Sequence, residues 1–465
     1  MQYKKEIEQY LEANREEMLA LLRELIAVRS VQGEPAPGAP FGEAPLKALH
    51  LMLQKAQEYG FAAEEVDGYA GCISFGAAPS LGILAHLDVV PEGEGWTHPP
   101  YTLTYEPETQ YLYGRGTSDD KGPAVAALFA MRAVKELGIP LHSGVQLILG
   151  TNEENGSEDL RYYMAHRTLP PMVFTPDGEY PVIHLEKGMA RLRLSGRFPQ
   201  GGPLLHLKAG EAVNAVPVVA VASLRGFAAG AVQSAHRSLA DLYPDFPVLE
   251  TVPEGEVLHL TMRGTSAHAS TPEKGRNALT ALLALLHALH LPGAQGETIA
   301  LLQMRFPYGE TDGSACGVAA HDARSGALTM VLSVMELSNT DFTAHVDIRF
   351  PVCCTGAEVT QGMQRALSPL DCEVLMCDEP HDTDENSPFV RTLLRVYEVV
   401  TGEEGHCLAI GGGTYVHHIE GGVAFGCEFP GTDIRMHGAD EFIPLPHLML
   451  DAQMMALAVT ELCGG

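Results

Sequence analysis

Two histidines and several acidic residues supply the side chains with which this sequence could do chemistry. Each lies where an apolar segment gives way to polar residues. The set consists of His86, Asp88, Asp119, Asp120, Glu153, Glu154, Asp177 and His437. Clustered carboxylates repel one another, and divalent cations are the groups that neutralise them best. This set therefore indicates metal-dependent hydrolytic chemistry.

The spacing of these residues suggests a division of roles. His86 and Asp88 are two positions apart, so in an extended strand both side chains leave the same face. One of them could bind metal while the other supports it. Asp119 and Asp120 are adjacent and point differently, so only one of them should be a ligand. The alternative for this acidic pair is a cap at a helix N-terminus.

The adjacent glutamates Glu153 and Glu154 also project differently, so one could bind metal while the other transfers protons. Asp177 could be either a turn aspartate or a further ligand. His437 is the second histidine. Two histidines and three carboxylates suit two zinc or manganese ions that share a bridging group, because imidazole and carboxylate bind both metals.

Alternating strands and helices would position these residues. The apolar segments 81–85 and 145–149 are predicted to be buried strands of a largely parallel sheet, and residues 122–137 form a helical pattern between them. In such sheets, ligands bind beyond the carboxyl ends of the strands, where the polar residues fall. At the N-terminus, residues 1–29 are predicted to form one amphipathic helix.

The pattern changes near residue 187. Residues 190–194, 258–262 and 344–350 alternate between apolar and polar side chains, which predicts strands with one exposed face. Residues 277–289 are predicted to be helical. This central region therefore resembles an α+β domain with an antiparallel sheet.

The α/β pattern returns near residue 386, with a helix that opens at Ser387 and a final helix over 445–462. We therefore predict an α/β fold. A catalytic domain, residues 1–186 and 386–465, has a mixed, largely parallel sheet flanked by helices. It is split by an inserted α+β lid domain, residues 187–385, with an antiparallel sheet.

Composition restricts the partners and the location of the protein. The formal net charge of −29, from 59 acidic and 30 basic residues, argues against nucleic acid and against an anionic membrane. No apolar stretch reaches the ~18 to 20 residues that a membrane span requires. Nine scattered cysteines without an export signal predict reduced thiols, so we expect a cytoplasmic protein.

Taken together, the motifs resemble the M20 metallopeptidase family, and within it the PepV-type, carnosinase-like (Xaa-His) dipeptidases. The motifs that carry the resemblance are His86-Leu87-Asp88, the segment 114–122, Glu153-Glu154, Asp177-Gly178 and Met436-His437. Segments 264–270 and 411–415 resemble the lid motif and the glycine-rich substrate loop of that family.

The resemblance implies two divalent metal ions, with zinc as the first choice and manganese or cobalt as alternatives. Asp119 would bridge both ions. His86 and Asp177 would complete one metal site, and Glu154 and His437 would complete the other. The family includes monomers and homodimers, and both remain open for this chain.

The remaining catalytic roles also come from the resemblance. Glu153 would be the general base that takes a proton from the bridging water and passes it to the leaving amine. Asp88 would orient or tune the histidine two positions before it. His268 would stabilise the oxyanion of the tetrahedral intermediate.

The resemblance further implies a group of substrate-binding residues. These are Asn214, Arg349, Gly412, Gly413 and Thr414. Without the resemblance, an ion pair with Asp347 would be the favoured explanation of Arg349. Related sequences commonly carry an arginine shortly after the glycine-rich loop, whereas this chain has Val416 and His417, so binding of the substrate carboxylate is open at this point.

The implied activity is a metallopeptidase that hydrolyses unblocked dipeptides. An N-acyl amino acid deacylase and a carboxypeptidase of the same family are the alternatives, because a metal centre alone does not select the amide. A peptide-binding protein without catalysis on the same fold is a third alternative from another functional class.

Overall fold

A computed structural model describes residues 1–464 of the chain, which form two compact units. The first unit comprises Met1–Leu185, Asp382–Leu408 and residues 413–464. The second unit comprises Glu186–His381 and Ala409–Gly412. The second unit is therefore inserted into the first, and each has its own core.

The second unit includes a short segment that the sequence pattern did not separate from the catalytic domain. The backbone N–H of Lys187 donates to the carbonyl of Ile410 at 2.9 Å. Arg349 Nη1 donates to the carbonyl of Gly411, also at 2.9 Å. These contacts join residues that are far apart in the chain, so no local pattern reveals them.

The first unit begins with five helices and nine strands that precede the insertion within the described residues. The helices are α1 (Lys4–Ala13), α2 (Arg15–Ile26), α3 (Glu43–Glu58), α4 (Lys121–Glu136) and α5 (Glu158–His166). The strands are β1 (Ala62–Val66), β2 (Ala70–Phe75), β3 (Pro79–His86), β4 (Thr104–Glu106), β5 (Tyr111–Tyr113), β6 (Gly144–Gly150), β7 (Met172–Thr175), β8 (Gly178–Glu179) and β9 (Val182–Glu186).

The second unit combines helices with long strands. Its helices are α6 (Ala229–Leu242), α7 (Ala278–Ala288), α8 (Gly293–Arg305) and α9 (Gly356–Leu367). Its strands are β10 (Gly188–Arg197), β11 (Leu204–Ala209), β12 (Val219–Arg225), β13 (Val248–Glu254), β14 (Val257–Arg263), β15 (His321–Asp322), β16 (Gly326–Ala327), β17 (Thr329–Ser338), β18 (Asp341–Phe350) and β19 (Asp371–Asp378).

The chain then returns to the first unit at Asp382 and leaves it again only for residues 409–412. The elements from there onward are β20 (His381–Asp382), α10 (Pro388–Thr401), β21 (Cys407–Ile410), β22 (Val423–Ala424), β23 (Cys427–Glu428), β24 (Phe442–Pro444) and α11 (Leu445–Cys463).

Two sheets organise the fold. The sheet of the first unit has the order β1-β2-β6-β3-β7-β22-β9-β20, with β21 paired to β9. Its centre is parallel, from β6 through β3 and β7 to β22, and β1, β2 and β9 join antiparallel. The sheet of the second unit has the order β13-β14-β12-β11-β17-β18-β10-β19, and its neighbours are antiparallel. The predicted mixed α/β architecture with an antiparallel insertion is confirmed.

Local signals explain most helix ends. Ser387 Oγ accepts from the backbone N–H of Val390 at the start of α10, and this helix stops at Gly402, which has φ 79°. Asn277 Oδ1 caps α7 by accepting from the N–H groups of Leu279 and Thr280. The predicted start of α10 and both predicted ends of α7 are therefore confirmed to within a residue.

The predicted single N-terminal helix is wrong, because the segment forms the two helices α1 and α2. The break lies at Asn14, which has φ −104° and ψ 8°. Its side-chain Nδ2 donates to the carbonyl of Tyr10 at 2.8 Å, at the point where the helix would otherwise continue. Asparagine side chains compete with helical backbone hydrogen bonds in this way.

Among the helices of residues 1–464, none combines the length and the apolar character needed to cross a membrane. All nine cysteines lie within these residues and are free thiols.

Nearly all of α4 is buried, and α4 and α11 share the core of the first unit. Inside that core lies one acid of α11. Asp451 is fully buried and its Oδ1 accepts from the hydroxyl of Tyr180 at 2.5 Å. Its Oδ2 has no hydrogen-bond partner among the described residues. Burial raises the pKa of Asp451 to about 8, so the neutral acid is the form that fits this site.

Substitution Asp451→Asn should reduce the loss of stability at high pH. An unfolded aspartate has a pKa of about 3.9, so the folded state binds this proton more tightly. The contribution of this bound proton to the free energy of unfolding is complete at low pH and is lost as the pH rises toward about 8. The variant should therefore gain stability relative to the native protein by up to about 1.4 kcal/mol per pH unit across that window.

Thermal unfolding between pH 5 and pH 9 measures this difference. Asp241→Asn, at an exposed position of α6, is the matched control and should follow the native curve. A constant difference between Asp451→Asn and the native protein over this range would contradict the prediction.

Candidate active site

The candidate site lies at the carboxyl edge of three neighbouring parallel strands. His86 is the last residue of β3, Glu153 follows the end of β6, and Asp177 follows the end of β7. Asp119 immediately precedes the residue that begins the turn into α4. Because the carboxyl ends of parallel strands meet at one edge, these chain segments converge there.

The five predicted metal ligands lie within contact distance of one another. His86 Nε2 is 3.0 Å from Asp119 Oδ1 and 3.6 Å from Asp177 Oδ2. His437 Nε2 is 2.9 Å from Asp119 Oδ2 and 3.0 Å from Glu154 Oε2. Asp119 therefore directs one oxygen to each histidine, which is the geometry that a bridging carboxylate requires.

Two groups of side chains are compact enough to hold an ion, with ligand atoms within 4.8 Å of one another. One group is His86, Glu153 and Asp177, and the other is His86, Asp119 and Glu154. His86 belongs to both groups, and Glu153 lies as close as the ligands do. Proximity alone therefore does not separate the predicted base from the predicted ligands.

The acids and histidines of the site shift one another's ionisation. Burial and the charge of Asp119 raise the pKa of Glu154 to about 7, and the same two causes raise the pKa of Asp177. Burial raises the pKa of Glu153 well above its usual value. These groups resist ionisation because negative charge is in excess, which is the condition that bound divalent cations relieve.

The two histidines favour the ionised form of Asp119, in contrast to the excess of negative charge. Burial disfavours the charge on Asp119, but the neighbouring His437 and His86 outweigh it and hold the pKa of this carboxyl well below its usual range. Burial likewise opposes protonation of His437, but Asp119 and Glu154 raise its pKa to about 11. Protons on the histidines thus partly supply the positive charge that the carboxylates need.

His86 has the hydrogen-bonding pattern of a metal ligand. Its Nδ1 is 3.0 Å from the carbonyl oxygen of Asp88, which can only accept, so Nδ1 carries the proton. In the neutral ring that could bind metal, the Nε2 lone pair would therefore face the carboxylates, and the buried Nε2 makes no hydrogen bond of good geometry. A fixed tautomer with an unsatisfied Nε2 fits a divalent cation.

Asp88 does more than support the histidine. Its Oδ1 is 3.5 Å from His86 Nδ1, and it also accepts from the backbone N–H of Glu153 at 3.1 Å. Its Oδ2 accepts from the N–H of Glu154 at 3.2 Å. The buried carboxylate of Asp88 therefore links the end of β3 to the glutamate pair.

Asp120 belongs to neither of the two groups that could hold an ion. Its Oδ2 accepts from the backbone N–H of His86 at 3.0 Å. The peptide bond between Asp119 and Asp120 is cis.

A buried ion pair joins the two loops that carry Asp119 and His437. Arg115 Nη1 donates to Glu441 Oε2 at 2.7 Å, and both side chains are at most 1% exposed. Arg115 Nη2 also donates to the carbonyl of His437 at 3.2 Å. Glu441 Oε1 accepts from the N–H groups of Ser118 at 3.0 Å and Asp119 at 3.3 Å.

The predicted lid residues belong to the second unit. The backbone N–H of Ala269 donates to the carbonyl of Asn214 at 2.9 Å, so the segments with Asn214 and His268 are neighbours. His268 Nδ1 accepts from the N–H of Ser270 at 3.2 Å. In the neutral ring, the proton is therefore on Nε2, which makes that atom a donor.

Arg349 is buried and paired. Its Nε donates to Asp347 Oδ1 at 2.6 Å and its Nη2 donates to Oδ2 at 3.3 Å, so the alternative ion pair does form. Its Nη1 donates to the carbonyl of Gly411. Arg349 therefore holds the glycine-rich segment that contains Gly412 within the second unit. Gly413 and Thr414, which follow, belong to the first unit.

Sequence reasoning missed the supporting acids and the arginine. Arg115 lies inside the motif 114–122 and Glu441 lies four residues after His437, but nothing in the sequence pairs them across the chain. Asp159, a fully buried acid of α5 that accepts from the backbone N–H groups of Thr151 and Asn152, has no local signal either. Each is a buried charge, and only the folded chain shows which backbone groups it binds.

Residues 82–461 match peptidase family M20/M25/M40. The chain belongs to this family. The M20 peptidase is also 35% identical over 465 residues to the Beta-Ala-Xaa dipeptidase of Lactobacillus delbrueckii subsp. lactis, with 97% of each chain covered. The resemblance inferred from the motifs is therefore confirmed, and the protein is an enzyme with peptidase activity.

Two solved structures share the fold. Human carnosine dipeptidase 1 matches with a TM-score of 0.60 at 15% identity, and the match covers 100% of this chain and 99% of the carnosine dipeptidase chain. The di-peptidase Dug1p from Saccharomyces cerevisiae has a TM-score of 0.61 at 12% identity, with 99% of both chains covered. Membership of the M20 family implies a peptide substrate and divalent metal, and the donor set described above fits such ions.

Substitution Arg115→Met should strongly destabilise this M20 peptidase. It leaves the carboxylate of Glu441 buried without its cation, which costs about 3–5 kcal/mol. Arg15→Met is the matched control, because it removes an exposed pair with Glu12 and should cost less than about 1 kcal/mol. Urea unfolding measures the free energy of unfolding of both variants. Equal decreases would show that the buried pair stabilises the protein no more than the exposed pair does.

Proposed function

We propose that this M20 peptidase hydrolyses the peptide bond of unblocked dipeptides at two divalent metal ions. The proposed ligands are His86, Asp119, Glu154, Asp177 and His437. The relative named Beta-Ala-Xaa dipeptidase, which matches almost the whole chain, supports a dipeptide as the substrate. β-Alanyl dipeptides are therefore the first substrates to examine.

The position of Asp119 is the observation that carries the proposal of two ions. Its two oxygens face the Nε2 atoms of His86 and His437 at 3.0 and 2.9 Å. Asp177 lies on the His86 side and Glu154 on the His437 side. Zinc is the proposed metal, with manganese and cobalt as alternatives, since all of these accept imidazole and carboxylate ligands.

When bound, the ions would polarise the scissile carbonyl and lower the pKa of a water toward ~7. Glu153 is the proposed general base. Its backbone N–H is held by Asp88, whereas among residues 1–464 no group hydrogen-bonds its carboxylate. The Glu153 carboxylate accepts the proton of the attacking water and then transfers it to the leaving amine.

The second unit would supply the groups that hold the substrate. The Nε2–H of His268 would donate to the oxyanion of the tetrahedral intermediate. Asn214 and Arg349, together with Gly412, Gly413 and Thr414, are proposed to hold the substrate near its carboxylate. For Arg349 this role would be additional to its pairing with Asp347.

We also propose that the enzyme is cytoplasmic, as a monomer or a homodimer. Nine free thiols support a reducing compartment.

Glu153→Gln should abolish turnover while the metal content is kept. The amide has nearly the shape of the carboxylate but cannot accept the proton, so kcat should fall by about 10²–10⁴-fold. Glu158→Gln, at an exposed position five residues along, is the matched control and should behave as the native enzyme. Measurements of kcat together with metal content by elemental analysis test this. Loss of metal from Glu153→Gln would mean that the roles of the two glutamates are reversed.

Removal of the metal should abolish hydrolysis, and zinc, manganese or cobalt should restore it. The test treats the protein with a chelator, titrates each metal separately, and assays free dipeptides, tripeptides and N-acetylated amino acids. Free dipeptides should be cleaved best. A preference for blocked N-termini would favour a deacylase, and a preference for longer chains a carboxypeptidase. No bound ion and no hydrolysis after reconstitution would favour a peptide-binding protein.

A further inference from the structure

A fully buried aspartate outside the proposed ligand set accepts four hydrogen bonds. Asp159 is the second residue of α5 and has no exposed surface. Its Oδ2 accepts from the N–H of Thr151 at 2.6 Å, the N–H of Asn152 at 2.7 Å and the hydroxyl of Tyr415 at 2.5 Å. Its Oδ1 accepts from the N–H of Leu160 at 2.7 Å.

Two of these bonds fix the backbone just before the glutamate pair. Asp159 holds the N–H groups of residues 151 and 152, and Asp88 holds those of residues 153 and 154. Four successive amides are therefore bound by two buried carboxylates. This segment follows Gly150, where a Cβ would lie 1.8 Å from the Tyr415 hydroxyl and 2.4 Å from Asp159 Oδ2, so only glycine allows the close approach.

The third donor, Tyr415, belongs to a different part of the first unit. It follows Gly413 and Thr414 directly and is fully buried. Its ring meets the ring of His86 edge to face, with centroids 6.1 Å apart. One oxygen of Asp159 thus connects the glutamate segment to the residue that packs on a proposed metal ligand.

We propose that Asp159, through Tyr415 and the amides of residues 151 and 152, is a positioning residue that fixes the glutamate pair relative to His86. This inference rests on the proposed function, in which Glu153 is the base and Glu154 a ligand. Asn cannot replace the carboxylate, because both oxygens accept and an amide nitrogen would face a donor on one side.

A second buried pair of the same chemistry provides the control. Asp451 Oδ1 accepts from the hydroxyl of Tyr180 at 2.5 Å, and both residues are fully buried. Asp451 binds no backbone amide of the glutamate segment. Asp451→Asn therefore changes a buried Asp–Tyr pair without the positioning contacts.

The experiment compares Asp159→Asn, Tyr415→Phe and Asp451→Asn in the full-length protein. Calorimetric titration of the apo protein with Co²⁺ measures metal affinity, and assays with the best dipeptide of the panel measure kcat and KM. Asp159→Asn should weaken Co²⁺ binding by about 10-fold and lower kcat by roughly 10–100-fold, with KM changed by less than about 3-fold. Asp451→Asn should keep kcat and Co²⁺ affinity within about 2-fold of native.

Tyr415→Phe keeps the ring and removes only one donor, so its kcat should fall by about 3–10-fold. If Asp159→Asn does not fold, Tyr415→Phe is the variant that tests the proposal. A native kcat in Tyr415→Phe would then overturn it. The proposal is also overturned if folded Asp159→Asn retains native kcat and Co²⁺ affinity. The same holds if kcat and Co²⁺ affinity fall as far in Asp451→Asn as in Asp159→Asn. If the native protein binds Co²⁺ but cleaves no dipeptide, the proposed function fails and the Co²⁺ affinities alone decide the role of Asp159.

Discussion

Repulsion among four carboxylates at one edge of the sheet is the constraint on which the candidate site of the first unit depends. Asp119, Glu153, Glu154 and Asp177 meet where three parallel strands end, and burial makes each charge more costly. Two negative charges about 4 Å apart repel by about 4 kcal/mol at the effective dielectric of a partly buried site. The two imidazoles offset part of this repulsion, and divalent cations are the groups that offset the rest.

Other buried acids hold this crowded site in place without joining it. Asp88 and Asp159 bind the backbone amides before and within the glutamate pair, and Glu441 binds those of Ser118 and Asp119. Hydrogen bonds to a charged acceptor are stronger than neutral ones, at roughly 1.5–3 kcal/mol each. The loops that carry the proposed ligands are therefore fixed through their backbones, which leaves the ligand side chains available to the proposed metal ions.

The second unit places its own side chains through a separate core. Its helices and antiparallel sheet bury their apolar residues together, and Asn277 caps α7. Arg349 is fixed by Asp347 and in turn holds Gly411. The glycine-rich segment is divided between the units, since residues 409–412 belong to the second and residue 413 onward to the first.

Local patterns in the sequence were sufficient for the strands β3 and β6 and for the capped helices α7 and α10, whereas the five proposed ligands came from the family motifs and stay a prediction. Periodicity and caps act between neighbouring residues, so the sequence displays them directly. The family motifs further identified the chain as an M20 peptidase. What the sequence could not reveal depends on contacts between distant residues. Only the tertiary structure pairs Arg115 with Glu441 and brings Asp159 to the amides before Glu153 and to Tyr415. A buried charge is stabilised by whichever polar groups the fold brings to it, and those groups are adjacent in space and not in the chain.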